Sequence, residues 1–393
     1  MYRTLLLFVL ALLLINCKEP AKNEQKLAVA IENTEEIYKN SPASTTMKKA
    51  EIVFCLDATG SMSGLIGTAK EKIWDIVSEM TQSQDIDSLK LGMVFYRDRG
   101  DHFVTKHIAL TTDIDQVYTD LLEIQADGGG DTPESVNQAL HEAVDDMNWS
   151  ADKNTYKTVF VVGDCPPHMD YQNDILYTES CEMAAQKGIR INTIKLGATC
   201  REAIPHFKKM ASCTNGEFMQ LDQNATDVVI NTPYDDEINK VSKEIDDSRL
   251  YYGKAEERRS KNLDKSKLLE MVYTKGSSSS NSARASYKMS KSDKESWMDS
   301  QELGEDYESG KIKLAELKES ELPVSLQGKS LQEKEATLNE LVSKRATNMK
   351  QLKELSKKRR AFIVQKSKER SSKDSLSFSK QVLKIIEKQS KSN

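Results

Sequence analysis

The chain alternates between short, densely apolar runs and longer stretches whose apolar residues recur every three or four positions. The first run, Ile52-Val-Phe-Cys-Leu56, is nearly continuous and stops at Asp57. Runs of this kind, bounded by small polar residues, fit strands covered on both faces, as in a parallel sheet flanked by helices. Behind it Leu65, Ile66, Ala69, Ile73, Trp74 and Val77 fall at helical spacing, so a strand, a loop and a helix follow one another. Leu89 to Tyr96 is a second strand and His102 to Thr111 a third. The short turn Arg97-Asp-Arg-Gly-Asp101 between them predicts an antiparallel hairpin at a sheet edge.

Asp113 starts a helix carrying Ile114, Val117, Leu121, Leu122 and Ile124, which Gly128-Gly-Gly-Asp-Thr-Pro-Glu134 then interrupts. Thr132 or Asp131 is expected to cap a further helix opened by Pro133, with Val136, Leu140, Ala143, Val144 and Met147 on one face. Thr158 to Gly163 is another buried strand, again ending on an acid, Asp164. A helix from about Asp174 to Lys187, a strand Arg190 to Leu196, a helix Glu202 to Ala211 and a strand Glu217 to Leu221 complete the pattern. Strands and helices alternating at this spacing predict an α/β fold with a doubly wound, mostly parallel sheet over residues 49–230.

The two ends read differently. Residues 1–17 are a short basic start and an apolar run, Leu5 to Ile15, too short to span a bilayer and suited to a secretory signal. Leu14-Ile-Asn-Cys17 resembles the lipobox of bacterial lipoproteins, with Cys17 as the acylated residue and Asn16 a departure from the usual small residue. The resemblance implies a lipid-anchored envelope protein, on the periplasmic face of the outer membrane or at the cell surface. Residues 18–48 are polar and read as a tether. Beyond Pro233 aromatics become sparse and Lys, Glu and Ser abundant, so residues 231–329, including the Gly276 to Ser282 block, are expected to be partly helical and partly disordered.

Residues 330–393 contain a predicted long helix, from about Ser330 to Lys373. Arg345 and Arg359 share the heptad register of Leu331, Leu338 and Leu352, which argues against a coiled coil. Charge is unevenly placed: residues 341–393 hold 16 Lys or Arg against 4 Asp or Glu, net +12, so the remainder of a chain with net charge -5 carries -17. A basic tail on an acidic body suits an anionic surface, or a solvated helix; nucleic acid is not expected of an exported protein.

The loop after the first strand presents Asp57, Thr59 and Ser61, oxygen side chains at i, i+2 and i+4, with Gly60 permitting a tight turn. Carboxylate and hydroxyl oxygens suit a hard divalent cation, although the same residues also cap helices. With the Gly128 to Glu134 loop and Asp164, in this order and spacing, they resemble the von Willebrand factor A domain with its metal-ion-dependent adhesion site, over about residues 48–230. Carried over, the resemblance implies metal ligands at Asp57, Thr59, Ser61, Asp131 or Thr132, and Asp164. It implies Mg2+ as the ion, Mn2+ or Ca2+ being equally compatible with oxygen ligands, and a partner protein or peptide whose exposed Asp or Glu replaces a metal-bound water. Thr59 stands where Ser is usual. Rival roles are a scaffold in which the metal only stabilises the loops, and an accessory subunit to an ATPase.

With Cys17 set apart, Cys55, Cys165, Cys181, Cys200 and Cys213 remain. Cys55, in the core strand, is expected to be a free buried thiol. Cys200 with Cys213, flanking one helix, and Cys165 with Cys181 are the two candidate disulfides. The cysteines and histidines lack zinc-site spacing. His168, beside Pro166 and Pro167, reads as loop structure, with contact to the site as the alternative. A serine-nucleophile elbow, a Walker A loop and a dinucleotide fingerprint are all missing, so an enzyme is not expected.

Overall fold

The structure, a computed structural model, describes residues 49–83, 86, 88–130, 132–223, 227–290, 297–369 and 377–391. Cys17 and Asp131, and with them the signal and tether expectations, lie outside the described residues. The elements of the α/β body are β1 (Lys49–Asp57), α1 (Ser63–Ser83), β2 (Ser88–Tyr96), β3 (Thr105–Thr111), α2 (Ile114–Glu123), α3 (Val136–Asp145), β4 (Thr155–Gly163), α4 (Tyr177–Lys187), β5 (Ile189–Leu196), α5 (Ala203–Ser212) and β6 (Phe218–Leu221). They form one six-stranded sheet in the order β3-β2-β1-β4-β5-β6. Every pairing is parallel except β2 with β3, the predicted edge hairpin.

Because side chains of a strand alternate between faces, each apolar strand feeds two cores. Ile52, Phe54 and Leu56 of β1 pack with α1 and α2 on one face. Val53 and Cys55 pack with α3, α4 and α5 on the other. Strand order reverses direction between β1 and β4, so the connections leaving the carboxyl ends of these two paired strands run to opposite faces of the sheet, the topology at which open α/β sheets hold ligands. Asp57 closes β1 and Asp164 follows β4.

Helices α6 (Asp235–Asp247), α7 (Ala255–Glu270), α8 (Ser278–Ser290), α9 (Leu303–Glu308), α10 (Leu331–Glu369) and α11 (Phe378–Lys391) make up the C-terminal region. The Gly276 to Ser282 block, expected from its composition to be disordered in part, enters α8, and Ser279, Ser280, Asn281 and Ser282 are buried. Its small side chains allow close approach to α1: Ser280 Oγ donates to Lys70 O at 2.9 Å and Ser277 Oγ to Glu71 Oε2 at 2.6 Å. The long helix is present, and Arg345 and Arg359 are buried in ion pairs with Glu302 and Asp235. Helix α11, within the segment read as a basic tail, returns to the sheet and buries Phe378, Val382, Ile385 and Ile386 in the first core.

Cys55 is free and buried, as expected. The disulfides differ from both candidate pairs: Cys165 joins Cys200, and Cys181 joins Cys213. Cys165 and Cys200 follow the adjacent strands β4 and β5, while Cys181 and Cys213 lie on α4 and at the end of α5. Pairing therefore follows adjacency in the sheet and helix layers, with Cα separations of 5.1 and 6.0 Å.

Candidate functional site

Asp57 is fully buried at the end of β1. Its Oδ1 accepts the Thr59 backbone N–H at 2.9 Å and the Thr59 hydroxyl at 2.7 Å. Thr59 Oγ1 lies 3.2 Å from Ser61 Oγ. The three oxygens singled out in the sequence therefore form one chain, with Thr59 buried and Ser61 exposed. Asp57 Oδ2 has no hydrogen-bond partner of good geometry, although the Asp164 backbone N–H lies near enough to favour the carboxylate weakly.

The second loop is tied to the first through its backbone. Asp127 N donates to Ala58 O at 3.0 Å, and Gly60 N donates to Gly128 O at 3.1 Å. Arg97 adds a clamp, its Nε donating to Ala58 O at 3.0 Å and its Nη2 to Gln125 O at 2.8 Å. Gly129 has φ +89°, and a Cβ there would come within 3.3 Å of the Thr59 Cβ. A non-glycine residue would be strained in backbone and crowded against the first loop.

Thr132, a candidate ligand, is exposed. Among the described residues of this loop the buried one is Glu134, 4% exposed. Pro133 does not open the next helix: α3 begins at Val136 after Ser135. Glu134 is instead held in a parallel bridge to Pro167, its N–H donating to Pro166 O at 2.9 Å and its carbonyl accepting from His168 N at 3.1 Å. Oε2 of Glu134 has no hydrogen-bond partner. Burial, and then the charges of Asp57, Asp98, Asp164 and Asp101, push its pKa up to about 9. The sequence reading passed over this residue. An acid after proline looks like an ordinary first-turn helix residue, and only Ser135, an N-cap residue type just before the apolar pattern starts, hinted otherwise.

Asp164 is buried, its Oδ2 accepting from Gln223 Nε2 at 2.9 Å while Oδ1 has no partner. Asp57 and Asp164 feel each other: burial, opposed by the Thr59 hydrogen bonds and reinforced by Asp164, pushes Asp57 up to about 7. Gly163 permits this closeness, since a Cβ there would lie 2.2 Å from the Tyr96 hydroxyl and 3.2 Å from Asp57 Oδ2. Lys195, also buried, donates to Gly197 O at 2.9 Å and feels the Asp164 charge.

His168 is loop structure. It stacks on Tyr171 with ring centroids 3.9 Å apart, its Nδ1 lies 2.8 Å from Asp170, and its Nε2 lies 3.4 Å from Asp98. Asp98 also accepts from Ser135 Oγ and the Tyr171 hydroxyl.

Asp57, Glu134 and Asp164 thus each bring to the carboxyl ends of β1 and β4 a buried oxygen without a hydrogen bond of good geometry. Unpaired buried carboxylate oxygens are costly unless a cation or donor meets them, so the donor set fits a hard divalent ion. Among the described residues no three or more His, Cys, Asp or Glu side chains stand together as a group that could hold a metal ion by themselves. Any ion here would draw on Thr59 and Ser61 as well.

Residues 51–233, a little under half of the chain, match the family model of the von Willebrand factor A domain. Together with the sheet order, this makes the α/β body a von Willebrand A-like fold, followed by a helical C-terminal region. A shorter stretch of 118 residues is 29% identical to an ariadne-like RING finger protein of Acanthamoeba polyphaga mimivirus, covering 30% of this chain and 11% of that protein. The pilus adhesin SpaC of Lactobacillus rhamnosus GG, in its open conformation, is similar over 45% of this chain and 28% of its own, with 12% identity and a TM-score of 0.34. Proximal thread matrix protein 1 of the mussel byssus is similar over 46% of this chain and 44% of its own, with 12% identity and a TM-score of 0.34. The chain spans less than half the length of each of these three proteins.

Proposed function

We propose that this chain binds a protein or peptide partner through a divalent cation held at the carboxyl ends of β1 and β4. The observation that carries the reading is the set of unpartnered, buried carboxylate oxygens of Asp57, Glu134 and Asp164 beside the Thr59 and Ser61 hydroxyls. Mg2+ is the ion proposed, with Mn2+ or Ca2+ compatible with the same oxygens. An oxygen of the partner, a carboxylate in the resemblance, completes the coordination shell. The role proposed is binding, in keeping with a His168 imidazole engaged with Asp98, Asp170 and Tyr171. Lipid anchoring through Cys17 and a place in the cell envelope are part of the same proposal. So is an anionic surface for the exposed cations of α10, of which Lys350, Lys353, Lys357 and Arg360 recur at helical spacing on one stripe.

Thermal unfolding of the full chain tests the metal. An ion that binds only the native state must raise the melting temperature, so Mg2+ after EDTA raises it in wild type and not in Asp57→Ala. No rise with Mg2+, Mn2+ or Ca2+ at millimolar concentration would refute the reading. A rise without any Mg2+-dependent partner in a pull-down from envelope extract would favour the scaffold role.

A further inference from the structure

We infer that the second loop meets the cation through Glu134 rather than through the hydroxyl of Thr132, so that this chain itself supplies a third carboxylate. The inference rests on the cation reading above. Thr132 is exposed. Glu134 is 4% exposed and its Oε2 lacks a hydrogen bond, as does Asp164 Oδ1, while Asp57 Oδ2 lacks one of good geometry. Its backbone is fixed on both sides by Pro166 and His168, and that bridge denies it a place in the first turn of α3, where it would otherwise cap the helix dipole in solvent. From the far side Gly129 leaves room: a Cβ there would sit 3.9 Å from Glu134 Oε1. The residue is thus fixed by main-chain geometry, and its buried Oε2 has no hydrogen bond to satisfy.

The consequence concerns the partner. Asp57 and Asp164 alone would balance a divalent ion, leaving a partner carboxylate free to approach. With Glu134 added, the loaded site carries one net negative charge. A neutral oxygen donor of the partner then fits directly, whereas a carboxylate has to displace Glu134.

The test is titration of the full chain with Mn2+ by calorimetry, with circular dichroism confirming that each variant is folded. Glu134→Gln keeps the shape and removes the charge. Glu134→Asp keeps the charge and shortens the reach. Both should weaken Mn2+ binding at least about tenfold, the scale of losing an interaction at a metal centre, while Thr132→Ala binds as wild type. Loss in Thr132→Ala with Glu134→Gln unaffected would overturn the inference and leave the cation reading standing. Loss in Glu134→Gln but not in Glu134→Asp would overturn it too, showing a field effect without contact. Wild type that binds no Mn2+ would overturn both.

Discussion

In the α/β body, β1 buries apolar side chains on both faces: the core on one face is built mostly from Ile, Leu, Val, Met and aromatic residues, and the core on the other adds several Ala and Cys to them. Behind it, the clusters around Ile238 and Leu303 are smaller, and charge crosses between helices where the apolar surface gives out. Arg284 of α8 is fully buried, with Nη2 donating to Asp115 of α2 and Nη1 to Asp246 of α6, each at 2.8 Å. Asp246 also accepts from Trp297 Nε1 at 3.2 Å and the Tyr273 hydroxyl at 2.7 Å. Arg345 grips Glu302 with two nitrogens, at 3.0 and 3.1 Å, and Arg359 reaches Asp235 at 2.9 Å. The comparison teaches that a segment poor in apolar residues can still be ordered when its buried charges find partners far away in sequence, and that such order depends on every partner being present.

The sharpest way to break the comparison is to remove α11. Leu268, Met271, Val272, Ala283 and Tyr287 of the C-terminal region also reach the first core, and α11 adds four more apolar side chains to it, so its removal should have the largest effect. Phe378 of α11 lies 6.3 Å from Phe54, ring centre to ring centre, and Gln389 Nε2 donates to Asn192 Oδ1 of β5 at 2.7 Å. Each of Phe378, Val382, Ile385 and Ile386 is almost fully buried, which at about 1.5–3 kcal/mol apiece amounts to roughly 6–12 kcal/mol, on the scale of a whole domain's stability. A chain ending at residue 376 should therefore lose cooperative unfolding and aggregate. A sharp unfolding transition by circular dichroism, with unchanged midpoint, would show that the body folds without its last helix.

The next effect tests the buried charges. Arg284→Ala leaves Asp115 and Asp246 facing each other without their shared cation, and should destabilise the protein by about 3–5 kcal/mol in urea unfolding. The pH dependence has a definite sign. Burial alone would raise both carboxylates, but the Arg284 charge, helped by Lys288 at Asp115 and by Arg249 at Asp246, overcomes it and holds both well below the usual carboxylate range. A depressed folded pKa contributes stability that is present above the unfolded value near 3.9 and is lost as pH falls through the folded value. Wild type should thus lose stability steeply below about pH 4, and Arg284→Ala less steeply. Equal acid slopes in the two proteins would place the acid-labile groups elsewhere.

How much of this was legible in the sequence follows the same division. The strands were readable because an apolar run with no polar interruption has few other uses. Asp57 and Asp164 were readable because each ends such a run abruptly. Glu134 was not, since its role comes from a bridge to Pro167, a contact across 33 positions that no local pattern records. The disulfides needed the order of strands before their partners could be named. Ser277 to Ser282 looked like a linker because small polar residues are common in linkers; their value in close helix packing appears only with α1 beside them. Arg345 and Arg359 stood out as intruders in a leucine register, and the acids they serve, Glu302 and Asp235, lie 43 and 124 residues away.

The smallest effect comes from an ion pair on the body's surface, where the contrast with Arg284 is cleanest. His107 of β3 lies against Glu142 of α3, and Glu142 also accepts from Thr105 Oγ1 at 3.1 Å and Gln138 Nε2 at 2.8 Å. The hydrogen bond to Glu142 raises the His107 pKa, with burial opposing it. A raised folded value contributes stability that is complete below the unfolded histidine pKa near 6.5 and disappears as pH rises through the folded value. His107→Gln should therefore destabilise the protein at pH 5.5 and be nearly neutral at pH 9. Because the imidazole is about a third exposed, solvent screening confines the difference to under about 1 kcal/mol. Urea midpoints at the two pH values, in low and high salt, measure it. A loss as large as that of Arg284→Ala would mean that the strand edge, and not the buried network, carries the protein's electrostatic stability.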